Sequence, residues 1–124
     1  NLAGVTPLMA GAFSGNADIV RRLLAAGART DPVDRVKKNA AVYAAGQGCL
    51  GCLEQLLQAG TPVNGRLDRE LTLLMWTAGY GQEPAARLLL EKGADRSLRD
   101  DRGKTAADIA RETNHSALAQ LLAP

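Results

Sequence analysis

The stretch that decides the fold is a leucine pair followed by a glycine, Leu89-Leu90-Glu91-Lys92-Gly93-Ala94-Asp95. The same pair and glycine occur 33 residues earlier, at Leu56-Leu57 and Gly60, and again at Leu23-Leu24 and Gly27. Since two residue types agree on one spacing, the chain is built from an internal repeat.

Each repeat predicts two short helices and a connector. The first helix follows a residue that can accept a hydrogen bond from its free amides, namely Thr6, Asn39, Thr72 or Thr105. It is interrupted by Gly15, Gly48, Gly81 or Asn114. The second helix carries its apolar residues at i, i+4 spacing. It ends at Gly27, Gly60 or Gly93, where a left-handed C-cap favours glycine.

This pattern resembles the ankyrin repeat, whose hallmark is Thr-Pro-Leu-His-x-Ala-Ala, a glycine, Leu-Leu and Gly-Ala-Asp. The chain has Thr6-Pro7-Leu8-Met9-Ala10-Gly11-Ala12 near one end and Gly93-Ala94-Asp95 near the other. The resemblance covers essentially the whole chain. It implies an all-α solenoid of stacked helix-turn-helix units with protruding hairpin-like connectors. We predict one domain over 1–124, with repeats at approximately 1–33, 34–66, 67–99 and 100–124.

The chain departs from the family pattern at two positions of the repeat. The family's histidine is replaced by Met9, Val42, Met75 and Asp108, so its usual hydrogen bonds are expected to be lost. The glycine at the hairpin tip is kept at Gly4 and Gly103 but becomes Lys37 and Glu70 in the middle repeats. We therefore expect the two middle connectors to depart from regular β-turns.

The two end repeats differ in polarity. The last repeat is polar where the others are apolar, as a solvent-facing cap requires, with Asp108, Arg111, Glu112, Asn114, His115 and Gln120. The first repeat has no such cap. Either a segment upstream is missing or this face packs on another surface. We expect a monomer, with association through the uncapped N-terminal face left open.

The resemblance implies that another protein binds on the concave face, which the first helices and hairpin tips form. All four aromatic residues lie in first helices, and aromatic residues and arginine dominate interface energies. Tyr43 and Trp76 can equally fill gaps between helices. By the repeat register, the face also includes Leu2. The predicted partner-binding residues are Phe13, Arg35, Lys38, Tyr43, Arg69, Trp76, Tyr80, Arg102 and Lys104.

Charge gives a weaker indication of the partner. The connectors carry eight basic residues against five acidic ones, which suggests an acidic partner segment, although a solvated loop edge explains the same excess. The net charge of +2 is too small to indicate nucleic acid or an anionic membrane. No apolar run reaches the length of about 18 residues that a membrane span needs.

The sequence gives little support to a redox or metal site. Cys49 and Cys52 have the spacing of a redox pair, but a thioredoxin-like motif needs a βαβ setting, and the register explains Cys52 as a core residue. His115 is the only histidine, whereas a zinc site needs about four ligands. We predict no cofactor, no metal and no enzyme activity. The alternative function is a regulatory or targeting domain of a larger enzyme or secreted effector.

Overall fold

The computed structural model describes residues 3–124, and all regular secondary structure in that range is helical. The described residues form eight α-helices, and a short 3₁₀ turn, Asp68–Glu70, precedes the fifth. The helices are α1 (Pro7–Phe13), α2 (Ala17–Ala25), α3 (Ala40–Gln47), α4 (Leu50–Gln58), α5 (Leu73–Tyr80), α6 (Glu83–Glu91), α7 (Ala106–Glu112) and α8 (Ser116–Leu122). The all-α prediction and the helix pair in each repeat are confirmed.

The first helix of each repeat begins at the predicted cap. The side-chain oxygens of Thr6, Asn39, Thr72 and Thr105 accept hydrogen bonds from the backbone amides three residues later. In the last repeat, Asp108 occupies the position of the family's histidine, and its Oδ2 accepts the Thr105 amide hydrogen at 3.0 Å. The carboxylate therefore closes a reciprocal cap that anchors the start of α7.

The turn between the two helices of a repeat needs a left-handed residue. Gly81 has φ of +72° between α5 and α6, and Asn114 has φ of +65° at the same place in the last repeat. Asparagine tolerates this region better than most residues, which explains why it can replace glycine there.

The described residues form two compact units, residues 3–62 and residues 63–124. In the first unit, α1 packs on α3 and α2 packs on α4, around a core that includes Leu8, Val20 and Leu56. In the second unit, α5 packs on α6 and α7, and α7 packs on α8. Each unit therefore has an apolar core of its own. The prediction of one domain over 1–124 stays a prediction.

The second helix of the first repeat has an exposed apolar edge. Ile19 is 43% exposed, whereas Cys52 and Ala85, at the same position in the next two repeats, are fully buried. Leu23 is also partly exposed, whereas its counterpart Leu56 is buried. This edge belongs to the repeat in which the sequence lacks a polar cap. Association through it remains a prediction.

The last repeat has the polar surface that the sequence indicates. The polar side chains that are exposed there include Arg111, Glu112, Asn114 and Gln120, while Asp108 and His115 are partly buried. Within residues 3–124, no helix combines the length and the apolar character needed to cross a membrane.

Candidate partner-binding surface

The connector of the second repeat, residues 34–38, is here called tip 2. Its backbone closes through hydrogen bonds from Asp34 N–H to Lys38 O and from Lys37 N–H to Asp34 O, both 3.0 Å. Asp34 Oδ1 accepts the amide hydrogens of Val36 and Lys38, also at 3.0 Å. Lys37 adopts φ of +66°, the conformation of the family's glycine. The prediction of an irregular connector is wrong for tip 2, where the Asp34 carboxylate holds a regular turn.

The same carboxylate recurs in the last repeat, in residues 100–104, here called tip 4. Asp100 Oδ1 accepts the amide hydrogens of Arg102 and Lys104 at 2.9 Å each. The third repeat has Leu67 at this position, and its connector contains two residues with φ of +61°, Arg69 and Glu70. The expected irregularity is confirmed there in the backbone angles, although the hydrogen bonds from Leu67 N–H to Leu71 O and from Glu70 N–H to Leu67 O close the connector as in tip 2.

Asp34 also fixes the aromatic ring of Tyr43, which lies in α3. The Tyr43 hydroxyl donates a hydrogen bond to Asp34 Oδ2, and the Lys38 ammonium lies 5.6 Å from the centre of the Tyr43 ring. Burial alone would raise the pKa of Asp34. The hydrogen bonds from Tyr43 and from the amides of Lys38 and Val36 outweigh that effect and hold the pKa below its ordinary value. The ionised Asp34 carboxylate therefore links tip 2 to α3 through hydrogen bonds.

An apolar groove lies beside this cluster in the first unit. It has a volume of about 300 Å³ and is lined by Val5, Met9, Ala10, Phe13 and Tyr43. Phe13 meets Tyr43 edge to face, with ring centres 5.8 Å apart, and remains 57% exposed. A phenylalanine at the edge of a groove, held by a second ring, is an anchor of the kind that interfaces use.

Tip 2 places positive charge in the same unit as the groove. Arg35 and Lys37 are exposed, and Lys38 is partly exposed. The only carboxylate of the tip, on Asp34, is buried and accepts hydrogen bonds from within the unit. The surface that tip 2 offers to solvent is therefore basic.

The second unit carries the other aromatic pair. Trp76 and Tyr80 lie on α5 and stack with ring centres 5.9 Å apart, and Tyr80 is exposed. Arg69 is also exposed, and its carbonyl oxygen accepts the Asp101 amide hydrogen at 3.0 Å. Both residues of this pair lie on one first helix, whereas Phe13 and Tyr43 lie on two, α1 and α3.

The cations of tip 4 have acidic neighbours. Arg102 donates to Asp100 Oδ2 at 3.0 Å, and this hydrogen bond raises the pKa of Arg102 above its ordinary value. Arg102 Nη2 and Lys104 Nζ lie 3.6 and 3.5 Å from the two carboxylate oxygens of Glu112 on α7. The positive charge of Arg102 and Lys104 is therefore largely balanced within the unit.

The structure joins Cys49 and Cys52 in a disulfide at the start of α4. Cys52 is fully buried, so its predicted core position is confirmed, while the covalent pairing was not predicted. Across residues 3–124 there is no group of three or more histidine, cysteine, aspartate or glutamate residues that could hold a metal ion.

One part of this surface, the role of Asp34, was not predicted from the sequence. Val36 at tip 2, which the repeat register places on the binding face, is 61% exposed. The anchoring role of Asp34 could have been found, because Asp34 and Asp100 occupy the same repeat position. Leu2, which the register placed on the binding face, lies outside the described residues.

Comparison with known proteins identifies the repeat. A family model described as ankyrin repeats, in three copies, matches residues 1–66 and 42–124. The chain is 37% identical over 101 residues to the ankyrin repeat and KH domain-containing protein mask-1 of Caenorhabditis elegans, covering 80% of this chain and 4% of that protein. It is 33% identical over 104 residues to the probable E3 ubiquitin-protein ligase XBOS34 of Oryza sativa subsp. japonica, covering 82% of this chain and 20% of that protein.

A third relative is matched over a greater share of its length. The chain is 34% identical over 124 residues to the B-cell lymphoma 3 protein homolog of Mus musculus, covering 94% of this chain and 27% of that protein. The chain therefore spans well under a third of the length of each of these relatives.

Proposed function

Because the chain belongs to the ankyrin repeat family, we propose that it is a protein-binding module and that its partner docks on the groove and tip 2 of the first unit. Ankyrin repeats generally mediate contacts between proteins, and no catalytic domain is evident beside them in residues 3–124. The observation that carries the proposed site is the exposed Phe13 ring at the edge of the apolar groove.

The surface has the two parts that a specific interface needs. The groove offers apolar area around a rigid aromatic pair, Phe13 and Tyr43, and such anchors supply most of the binding energy at interfaces. Tip 2 adds Arg35, Lys37 and Lys38, whose charges select a partner and speed its approach. Both parts lie in one compact unit, so a single short segment can reach them together.

The chemistry of this surface indicates the kind of segment that binds. An apolar side chain fills the groove beside Phe13, and a nearby carboxylate meets the basic side of tip 2. The Asp34 carboxylate does not oppose this approach strongly, because it is buried and accepts hydrogen bonds from its own unit. The partner is therefore a protein segment that combines apolar and acidic residues.

Selection from a library of short peptides tests the proposal. We expect the wild-type chain to enrich peptides that carry an aromatic or aliphatic residue close to aspartate or glutamate. Phe13→Ala removes the aromatic anchor, so the affinity of the enriched peptides should fall by a factor of about 10 or more, which corresponds to roughly 1.4 kcal/mol. Titration calorimetry with one enriched peptide measures the loss.

Leu50→Ala is the matched control for this experiment. Leu50 is also an exposed apolar residue of the first unit, but it lies on α4 and does not line the groove. The control should bind like wild type, and Phe13→Ala should melt at the wild-type temperature. Equal losses in the two variants, or enriched peptides without acidic residues, would remove the support for this site.

A second candidate function is a regulatory or targeting part of a longer enzyme or effector. It is favoured by the lengths of the relatives, one of which is named as a ubiquitin-protein ligase and is covered by this chain over only 20% of its length. The sequence of the intact open reading frame distinguishes this function from that of a free-standing module.

A further inference from the structure

We propose that the Cys49–Cys52 disulfide is a reversible thiol–disulfide site, with Cys49 as the sulfur that exchanges with thiols from solution, and that it does not act as a structural crosslink. The ligand class is a small thiol such as glutathione. This inference stands apart from the proposed binding function, because it depends on the pair at the start of α4 and on no groove residue.

The repeat register shows that the fold does not require the crosslink. The position of Cys49 is occupied by Asn16, Gln82 and His115 in the other repeats, and the position of Cys52 by Ile19, Ala85 and Leu118. In each of those repeats the second helix begins one residue later, as α4 does after Cys49. The same turn and the same helix therefore form without a disulfide.

The spacing of the pair also argues against a stabilising crosslink. A disulfide stabilises mainly by restricting the unfolded chain, and the restriction grows with the length of the closed loop. The two cysteines are only three positions apart in sequence. Closing so short a loop removes little freedom from the unfolded chain.

The two sulfurs differ in their access to solution. Cys49 is partly exposed at the turn before α4, whereas Cys52 is fully buried. The Cys52 amide hydrogen points at Cys49 Sγ, with nitrogen and sulfur 3.2 Å apart. This donor, at the start of a nine-residue helix, stabilises negative charge on Cys49 once the bond is broken.

The exchange proceeds in two balanced steps. A thiolate from solution attacks Cys49 Sγ, the sulfur–sulfur bond breaks, and Cys52 leaves as a thiolate that takes up a proton. A second thiol, or the second sulfur of a dithiol, then attacks the mixed disulfide and releases Cys49. Two electrons pass from the reagent, which becomes a disulfide, to the pair, which becomes two thiols.

Titration of the folded chain with dithiothreitol tests this proposal, with free thiols trapped by iodoacetamide and located by peptide mass. We expect millimolar reagent to reduce the pair while the melting temperature changes by no more than about 3 °C, since little stability depends on the crosslink. In the reduced chain, Cys49 should be alkylated at least about 10-fold faster than Cys52, because only Cys49 reaches solvent.

The repeats supply matched variants. Cys49→Asn and Cys52→Ala install the residues that the first and third repeats carry at these positions. The double variant should melt like wild type. Glutathione disulfide should modify Cys49 in the Cys52→Ala variant, and should leave Cys52 unmodified in the Cys49→Asn variant.

Three results would overturn the proposal. They are a pair that resists reduction until the chain unfolds, a double variant that no longer folds, and alkylation of Cys52 as fast as that of Cys49. Peptide binding by the oxidised chain is measured alongside. A loss of peptide binding with normal exchange would count against the groove and not against the cysteine pair.

Discussion

A single carboxylate organises each of two hairpin tips. Asp34 binds the amides of tip 2 and the hydroxyl of Tyr43, and Asp100 binds the amides of tip 4 and the side chain of Arg102. For both carboxyl groups, hydrogen bonds to the ionised form outweigh burial, so the pKa lies below its ordinary value of 3.8. The charged form is therefore more stable in the folded chain than in the unfolded one.

This predicts an acid-dependent loss of stability. Because the folded pKa of Asp34 is lowered, its contribution is fully present above the unfolded pKa and is lost as the pH falls through the folded value. The free energy of unfolding should decline as the pH drops below about 4, and Asp34→Asn should flatten part of that decline. Urea melts at several pH values measure both.

Gly15 and Gly81 provide a comparison at one shared conformation. Both have φ of +72°, but a Cβ at Gly15 would meet nothing within 4 Å, whereas a Cβ at Gly81 would overlap the His115 ring. Gly15→Ala should cost about 1–2 kcal/mol from the left-handed backbone alone, and Gly81→Ala should cost more.

His115→Ala completes this test. In the His115→Ala background the overlap is absent. The free energy of unfolding that Gly81→Ala costs should therefore fall to the value for Gly15→Ala. Chemical denaturation of the four variants gives the coupling energy. If Gly81→Ala costs the same free energy of unfolding with and without His115, the His115 ring moves aside in the folded chain.

At the scale of the helix, most of the architecture could be predicted from the sequence, because each boundary depends on one local residue. A cap such as Thr6 fixes where a first helix begins, and a glycine such as Gly81 fixes where it stops. The connectors were less predictable. Lys37 replaces the tip glycine, yet tip 2 is regular, and there the Asp34 carboxylate accepts the amide hydrogens of Val36 and Lys38.

The candidate site, too, could be predicted from the sequence only in part. The aromatic residues could be placed on first helices by periodicity alone, whereas the edge-to-face contact of Phe13 with Tyr43 depends on packing between two repeats. The ion pairs of Arg102 and Lys104 with Glu112 join a tip to a helix, and no spacing rule indicates them. The sequence could predict which faces carry these side chains, but not which of them pair.

Two leucines at the same repeat position in second helices should contribute differently to the free energy of unfolding. Leu56 of α4 is fully buried, whereas Leu23 of α2 holds the same repeat position but is partly exposed. Leu56→Ala should cost about 2–5 kcal/mol, and Leu23→Ala clearly less, because less apolar surface leaves water at that position. Denaturant melts of both variants measure the difference, and equal costs would contradict the exposed edge described for the first repeat.

At the scale of the whole chain, two compact units each bury their own leucines. In repeat proteins, stability is nearly a sum of local contributions and of contacts between neighbours. Leu56→Ala should therefore raise amide hydrogen exchange more in residues 40–58 than in residues 73–91, and Leu89→Ala should do the reverse. Hydrogen exchange read by mass spectrometry decides this, and a uniform increase in both ranges would indicate a single cooperative unit.

Trp76 is the only tryptophan, and it lies on α5 in the second unit. Its fluorescence is thus a built-in label for one half of the chain, with no dye to attach and no residue to replace. Light emitted during unfolding reports on that half alone, whereas circular dichroism averages over every helix. Both signals can be recorded from one sample during unfolding. A fluorescence change that precedes the change in circular dichroism means that the second unit unfolds first, and one that follows it means that the first unit does.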